Sequence, residues 1–235
     1  MDEVARLPAD DRAALFGETG AGRGVADTII EKDFWVCWSL RRLFGLPKGT
    51  TASLVFKGGT SLSKAFSAIR RFSEDIDLSF DRAELGYTGD RDPEKEGISK
   101  KRASRLIDDL VADVERHIAE KLLPAFRAAI LEQLGEPANG EWSLEIDAGD
   151  AQTINFHYPT ALSATEYEGM AYITPRVKLE LGARGDPWPI EERIIRPYAA
   201  DDYPDFFEQP DTSVIVLSAR RTFWKSVPVR DAWRL

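Results

Sequence analysis

The chain has 235 residues, 43% of them hydrophobic, which allows one substantial core or a core with a satellite lobe; one compact α+β body is expected. Its 31 Lys and Arg against 40 Asp and Glu leave a net charge of −9, which excludes coating of nucleic acid by bulk electrostatics, so a nucleic-acid partner would have to meet a local basic patch. A single cysteine, Cys37, excludes an internal disulfide or a cysteine cluster, and two histidines far apart, His117 and His157, argue against a histidine-rich zinc site, so that any metal should be bound by oxygen.

The first residues lack a basic-then-apolar signal, and no apolar run approaches the ~18 residues of a membrane span, so a soluble, cytoplasmic protein without a membrane partner is expected. Residues 1–24 are polar and end in Gly20-Ala21-Gly22-Arg23-Gly24, which suggests a flexible lead-in, with one domain over 25–235. A helix is predicted over 27–44, with Ile30, Phe34 and Trp38 near helical spacing and Gly45 and Pro47 ending it; Cys37 sits in its apolar run as a core thiol.

A short buried strand over 53–56 runs into Gly58-Gly59-Thr60-Ser61, and a helix over 62–71 follows. Asp75-Ile76-Asp77-Leu78-Ser79-Phe80 alternates polar and apolar side chains, which makes a second strand with both aspartates on one face. Residues 81–97 read as a surface loop. A long helical pattern over 99–134 carries Ile107, Leu110, Val114, Ile118, Leu122 and Phe126, with Pro124 dividing or kinking it. Strands are predicted over 142–146, 153–158, 172–181 and 214–217, so the class is α+β: a mixed sheet with packed helices.

A Gly-Gly turn followed by two hydroxyl residues lets backbone N–H groups approach an anion, and a helix starting at Leu62 would add its dipole, so phosphate is the natural guest of Gly58, Gly59, Thr60 and Ser61. Two carboxylates on one strand face, Asp75 and Asp77, suit a hard divalent cation such as magnesium. Such a cation neutralises triphosphate charge during phosphoryl transfer. A third acid is then expected, and Glu180 in Val177-Lys178-Leu179-Glu180-Leu181 is the candidate, with Lys178 on the same face reaching a phosphate. Lys100-Lys101-Arg102 with Arg105 is the densest basic cluster, either a guide for an RNA backbone or a solvated helix end.

At these residues the chain resembles the AbiEii/AbiGii-type nucleotidyltransferase toxins, which include the mycobacterial MenT proteins and fall in the polymerase-β-type nucleotidyltransferase superfamily. The resemblance is carried by Ile30-Glu31-Lys32-Asp33-Phe34-Trp35-Val36, Phe56-Lys57-Gly58-Gly59-Thr60-Ser61-Leu62-Ser63-Lys64, Arg71-Phe72-Ser73-Glu74-Asp75-Ile76-Asp77-Leu78 and Arg221-Thr222-Phe223-Trp224. It implies a polymerase-β-like nucleotidyltransferase fold and an enzyme encoded beside an antitoxin, which adds nucleotides from an NTP to the 3′ end of tRNA. It further implies Asp75, Asp77 and Glu180 on magnesium or manganese, catalysis by these acids with Lys178, and Gly58, Gly59, Thr60, Ser61 and Lys64 on the nucleotide. Family members continue past the fourth stretch into a long helical half, whereas here Pro228 would break such a helix, so the C-terminal helical lobe is expected to be truncated. Two other readings share these residues: an inactive nucleotide- or protein-binding module of the same fold, and an enzyme that modifies a protein or small-molecule hydroxyl.

Overall fold

A computed structural model describes residues 1–47, 49–50, 53–69, 75–138, 141–168, 174–185 and 188–226, the last four by their backbone alone. Arg71 to Glu74 of the third motif stretch, the start of the strand expected over 172–181, and Pro228 therefore lie outside the described residues, as do the side chains of Phe223 and Trp224.

The chain opens with helices α1 (Asp2–Ala5) and α2 (Ala9–Arg23), followed by the long α3 (Asp27–Gly45). Residues 1–24, expected as a flexible lead-in, form α1 and α2 and contribute to the core. Met1, Val4, Leu15 and Phe16 are buried, and the Phe16 ring lies 5.6 Å from Phe34 of α3. The glycines that suggested looseness serve contact instead: a Cβ on Gly20 would stand 2.4 Å from Asp27 Oδ1 and 2.7 Å from the Val25 carbonyl oxygen. Only a bare backbone lets α2 come this close to the start of α3.

Strand β1 (Leu54–Lys57) leads directly into the short helix α4 (Gly58–Lys64), and β2 (Asp75–Phe80) returns antiparallel to β1. Helix α5 (Lys100–His117) starts at Ser99, whose side chain accepts from the Arg102 N–H at 3.3 Å. A π turn over Ile118–Leu122 separates it from α6 (Leu123–Leu134), so the division expected at Pro124 is present. Proline lacks an N–H and its ring crowds the carbonyl one turn back, which here falls on Glu120 inside the widened turn.

The rest of the chain adds β3 (Ser143–Asp147), β4 (Asp150–His157), α7 (Ala164–Glu168), β5 (Val177–Gly182), β6 (Ile190–Ile195), α8 (Tyr198–Asp202), β7 (Thr212–Leu217) and α9 (Ala219–Ser226). The strands form one seven-stranded sheet in the order β3-β4-β5-β2-β1-β7-β6. It is mixed: β2 with β5 and β1 with β7 are parallel, and the other neighbours are antiparallel. This is the α+β architecture expected from the sequence.

Strict alternation decides which face is core. Ile76 and Leu78 of β2, Val177 and Leu179 of β5, and Ile154 and Phe156 of β4 are buried, and α3 packs among them. Trp38 stacks on Phe156 with ring centroids 5.8 Å apart, and Trp35 on Tyr158 at 5.4 Å. Cys37 is buried in the same layer, where burial pushes its thiol up to about 12. No described helix is long and apolar enough to cross a membrane.

Candidate active site

The opposite sheet face carries the polar set. Because side chains alternate along a strand and directly paired residues share a face, register decides which groups meet. Lys57 of β1 pairs with Asp77 of β2, and Asp77 pairs on its other side with Glu180 of β5. One step along, Asp75 pairs with Lys178, which in turn pairs with Asn155 of β4. The strand order thus gathers Lys57, Asp75, Asp77, Lys178 and Glu180 into one patch.

The glycine turn meets this patch at one point. Gly58 has φ +75°, and a Cβ built on it would lie 1.8 Å from Asp77 Oδ2 and 2.6 Å from Asp77 Cγ. The space a side chain would need is taken by the carboxylate of Asp77. Gly58 is therefore required twice, for its left-handed backbone and for the close approach of the acid.

The electrostatics follow from the packing. Burial raises the Asp77 pKa above the usual carboxylate range, and the charges of Glu180 and Asp75 push the same way, against the pull of Lys57 and Lys178. Lys178 donates to Glu180 Oε1 at 2.5 Å, and this contact is the main reason its own pKa is raised. A cleft of about 520 Å³ opens beside Asp77 and Glu180, lined also by Lys57, Ser79, Gln152 and Arg184. Crowded carboxylates at the wall of such a cleft are a place for a cationic counterpart.

The family profile for the nucleotidyl transferase AbiEii toxin of type IV toxin–antitoxin systems matches residues 41–225, more than half of the chain and all of this patch. The chain belongs to the AbiEii family. Among solved structures, the MenT4 nucleotidyltransferase toxin from Mycobacterium tuberculosis H37Rv is 17% identical to this AbiEii chain with a TM-score of 0.47; the match covers 89% of the chain and 56% of MenT4. Among curated protein sequences none matches it.

The AbiEii chain places its expected site residues unevenly. Asp77 and Glu180 come together in register, with Asp75 and Lys178 beside them, but among the described residues no three acids or histidines form a metal-holding group. Glu180 is engaged by Lys178.

The phosphate segment differs from its expected form. The helix begins at Gly58, not at Leu62, and ends at Lys64. Thr60 and Ser61 are buried, the Thr60 hydroxyl donating to the Asp75 carbonyl and the Ser61 hydroxyl to the Gly58 carbonyl at 2.9 Å. The Thr60 hydroxyl thus joins α4 to β2, and the Ser61 hydroxyl bonds back within the first turn of α4. Lys64, expected on the nucleotide, has its charge engaged within the protein. Its Nζ forms an ion pair with Asp33 at 2.7 Å and lies 3.9 Å from the centre of the Tyr198 ring, inside the protein and away from the patch. Burial pulls Lys64 down, yet the charge of Asp33 outweighs it and leaves the ammonium raised.

Lys57 and Asn155 escaped the sequence reading. The available signal for Lys57 was its place as the last strand residue before Gly58. Asn155 is buried on the polar face, its amide donating to Asp147 Oδ2 at 2.9 Å, and only strand pairing reveals its position opposite Lys178. Lys100, Lys101, Arg102 and Arg105 are exposed at the start of α5.

Proposed function

We propose that this chain is the toxin enzyme of a type IV pair, moving a nucleotide from an NTP to an acceptor hydroxyl, with the 3′ end of tRNA as acceptor, the cytoplasm as its compartment and a cognate antitoxin as its partner. The observation that carries the reading is the Asp77 carboxylate seated against Gly58 with Lys57 and Glu180 in register on either side. It supports phosphoryl chemistry because acids, cations and bare backbone meet at one place.

Asp75 and Asp77 fit a divalent cation, magnesium or manganese: they share a strand face, and Asp77 is crowded by burial and by neighbouring negative charge. When bound, such an ion offsets the charge of the triphosphate and of the transferred phosphorus. Lys57 stands next to Asp77 as a fixed cation for phosphate oxygens, and Lys178 provides a second. The acceptor oxygen attacks the α-phosphorus in line, the bond to the β-phosphate oxygen breaks and pyrophosphate leaves. The Glu180 carboxylate is the base on this face that takes the hydroxyl proton. Asp75, Asp77, Glu180 and Lys178 form the catalytic set of this reading, in a domain that takes in the whole sheet together with α1 and α2.

The test is a transfer reaction with NTP labelled at the α-phosphate in one tube and at the γ-phosphate in another, in the presence of total RNA and protein extract. The reading requires covalent label from the α-position only, sensitive to nuclease and resistant to protease. Label that protease removes would move the acceptor to a protein, and label from the γ-position would overturn nucleotide transfer.

A further inference from the structure

Three consecutive charged residues, Glu31, Lys32 and Asp33, lie in the second turn of α3, and each is at most 1% exposed. Charges buried in a row are costly unless every one is paired. Each is paired, and each with a different segment. The Glu31 carboxylate accepts from the Tyr167 hydroxyl at 2.7 Å, the Thr160 hydroxyl at 2.9 Å and the Ala161 N–H at 2.6 Å, all beyond the end of β4. Lys32 Nζ donates to the Thr174 carbonyl at 3.3 Å, shortly before β5. Asp33 holds Lys64, the last residue of α4, and also accepts from the Tyr198 N–H at 2.7 Å.

We propose that Asp33, acting through Lys64, is a positioning residue for the transferase site, fixing α4 so that Gly58 stands against Asp77; this rests on the nucleotidyltransferase reading of that site. Helix α4 has seven residues and cannot hold its own place. Its first half is tied to β2 by the Thr60 hydroxyl on the Asp75 carbonyl. Its far end is tied to α3 by an ion pair whose ammonium also rests on the Tyr198 ring. An apolar contact would hold the helix against α3 but leave rotation and sliding open, because burial is non-directional. The ion pair at 2.7 Å, with the Tyr198 ring centre 3.9 Å from the same ammonium, anchors the end of α4 to one point of α3. With so little room between Gly58 and Asp77, any slide of α4 displaces the acid.

A second, half-buried ion pair on the same helix provides the control. Arg42, near the other end of α3, pairs with Asp2 and lies 3.7 Å above the Trp38 ring, remote from α4. The experiment compares Asp33→Asn, Lys64→Met, Lys64→Arg and Asp2→Asn at a temperature where circular dichroism shows all four folded. Nucleotide transfer and hydrogen exchange of the amides of residues 58–64 are measured on each. We expect kcat/KM to fall about 10- to 100-fold in Asp33→Asn and Lys64→Met, with the loss in kcat. Exchange over 58–64 should quicken in both, and Lys64→Arg should recover part of each. Asp2→Asn should melt earlier yet keep its kcat and its exchange over 58–64. Unchanged exchange over 58–64 in Asp33→Asn and Lys64→Met overturns the proposal whatever the transfer rate, as does an equal loss of kcat in Asp2→Asn. Absence of transfer by the native chain would instead reject the transferase reading, and the exchange data would still decide the role of Asp33.

Discussion

Asp77 is held where its charge is disfavoured. Burial comes first among the causes, and Glu180 and Asp75 add to it. A carboxylate whose folded pKa lies above its unfolded value destabilises the fold once ionised. That penalty is fully present above the folded pKa, fades as pH falls through it, and is gone below the unfolded value of about 3.9. Asp77→Asn should therefore raise the melting temperature in metal-free buffer at pH 8, by roughly 2–4 °C for each kcal/mol relieved. The gain should vanish near pH 4. Calorimetric scans across this range check it, and a gain that grows toward acid pH would mean that Asp77 is stabilised as the anion. Adding magnesium should raise the melting temperature of the native chain and not of the variant. Sites of this kind trade stability for function, and the direction of that trade is visible at a single residue.

At the scale of elements, the junction of β1 and α4 is the least tolerant. Gly58→Ala places a Cβ in the left-handed region and onto the Asp77 carboxylate, at an expected backbone cost of about 1–2 kcal/mol before any displacement of the acid. We expect denaturant unfolding to show at least that loss, together with loss of transfer; full activity in Gly58→Ala would show that the acid does not need this contact. Alternation makes β2 and β5 legible in the sequence and puts the acids of each strand on one face without reference to pairing. Strand pairing itself is non-local, and so the row Lys57, Asp77, Glu180 could not be read from spacing. Strand β6 was missed for another reason. It is an edge strand in which Ile195 is buried and Glu192, Arg193 and Ile194 are exposed, so it shows neither a buried run nor alternation. The start of α4 was misplaced because consecutive glycines read as a turn, whereas here Gly58 opens the helix under tertiary contact with β2.

For the whole molecule, the core extends from the sheet through α3 to the first residues of the chain. Polar composition and closely spaced glycines concealed this, since Gly20 reads as freedom until the helix it touches is known. Phe16 is fully buried against Phe34, so Phe16→Ala should cost about 3–5 kcal/mol and lower the melting temperature by roughly 10 °C. A merely attached lead-in would leave the melting temperature unchanged. The sheet and the helices on it bring one acid of β2, Asp77, against Gly58 of α4, while α1 and α2 extend the core behind α3. The most direct test is incorporation of α-labelled NTP into acid-insoluble RNA by the native chain, Asp75→Ala and Asp77→Ala, each first shown to be folded. We expect incorporation by the native chain and none by either variant. Incorporation at the native rate by both variants would contradict the account.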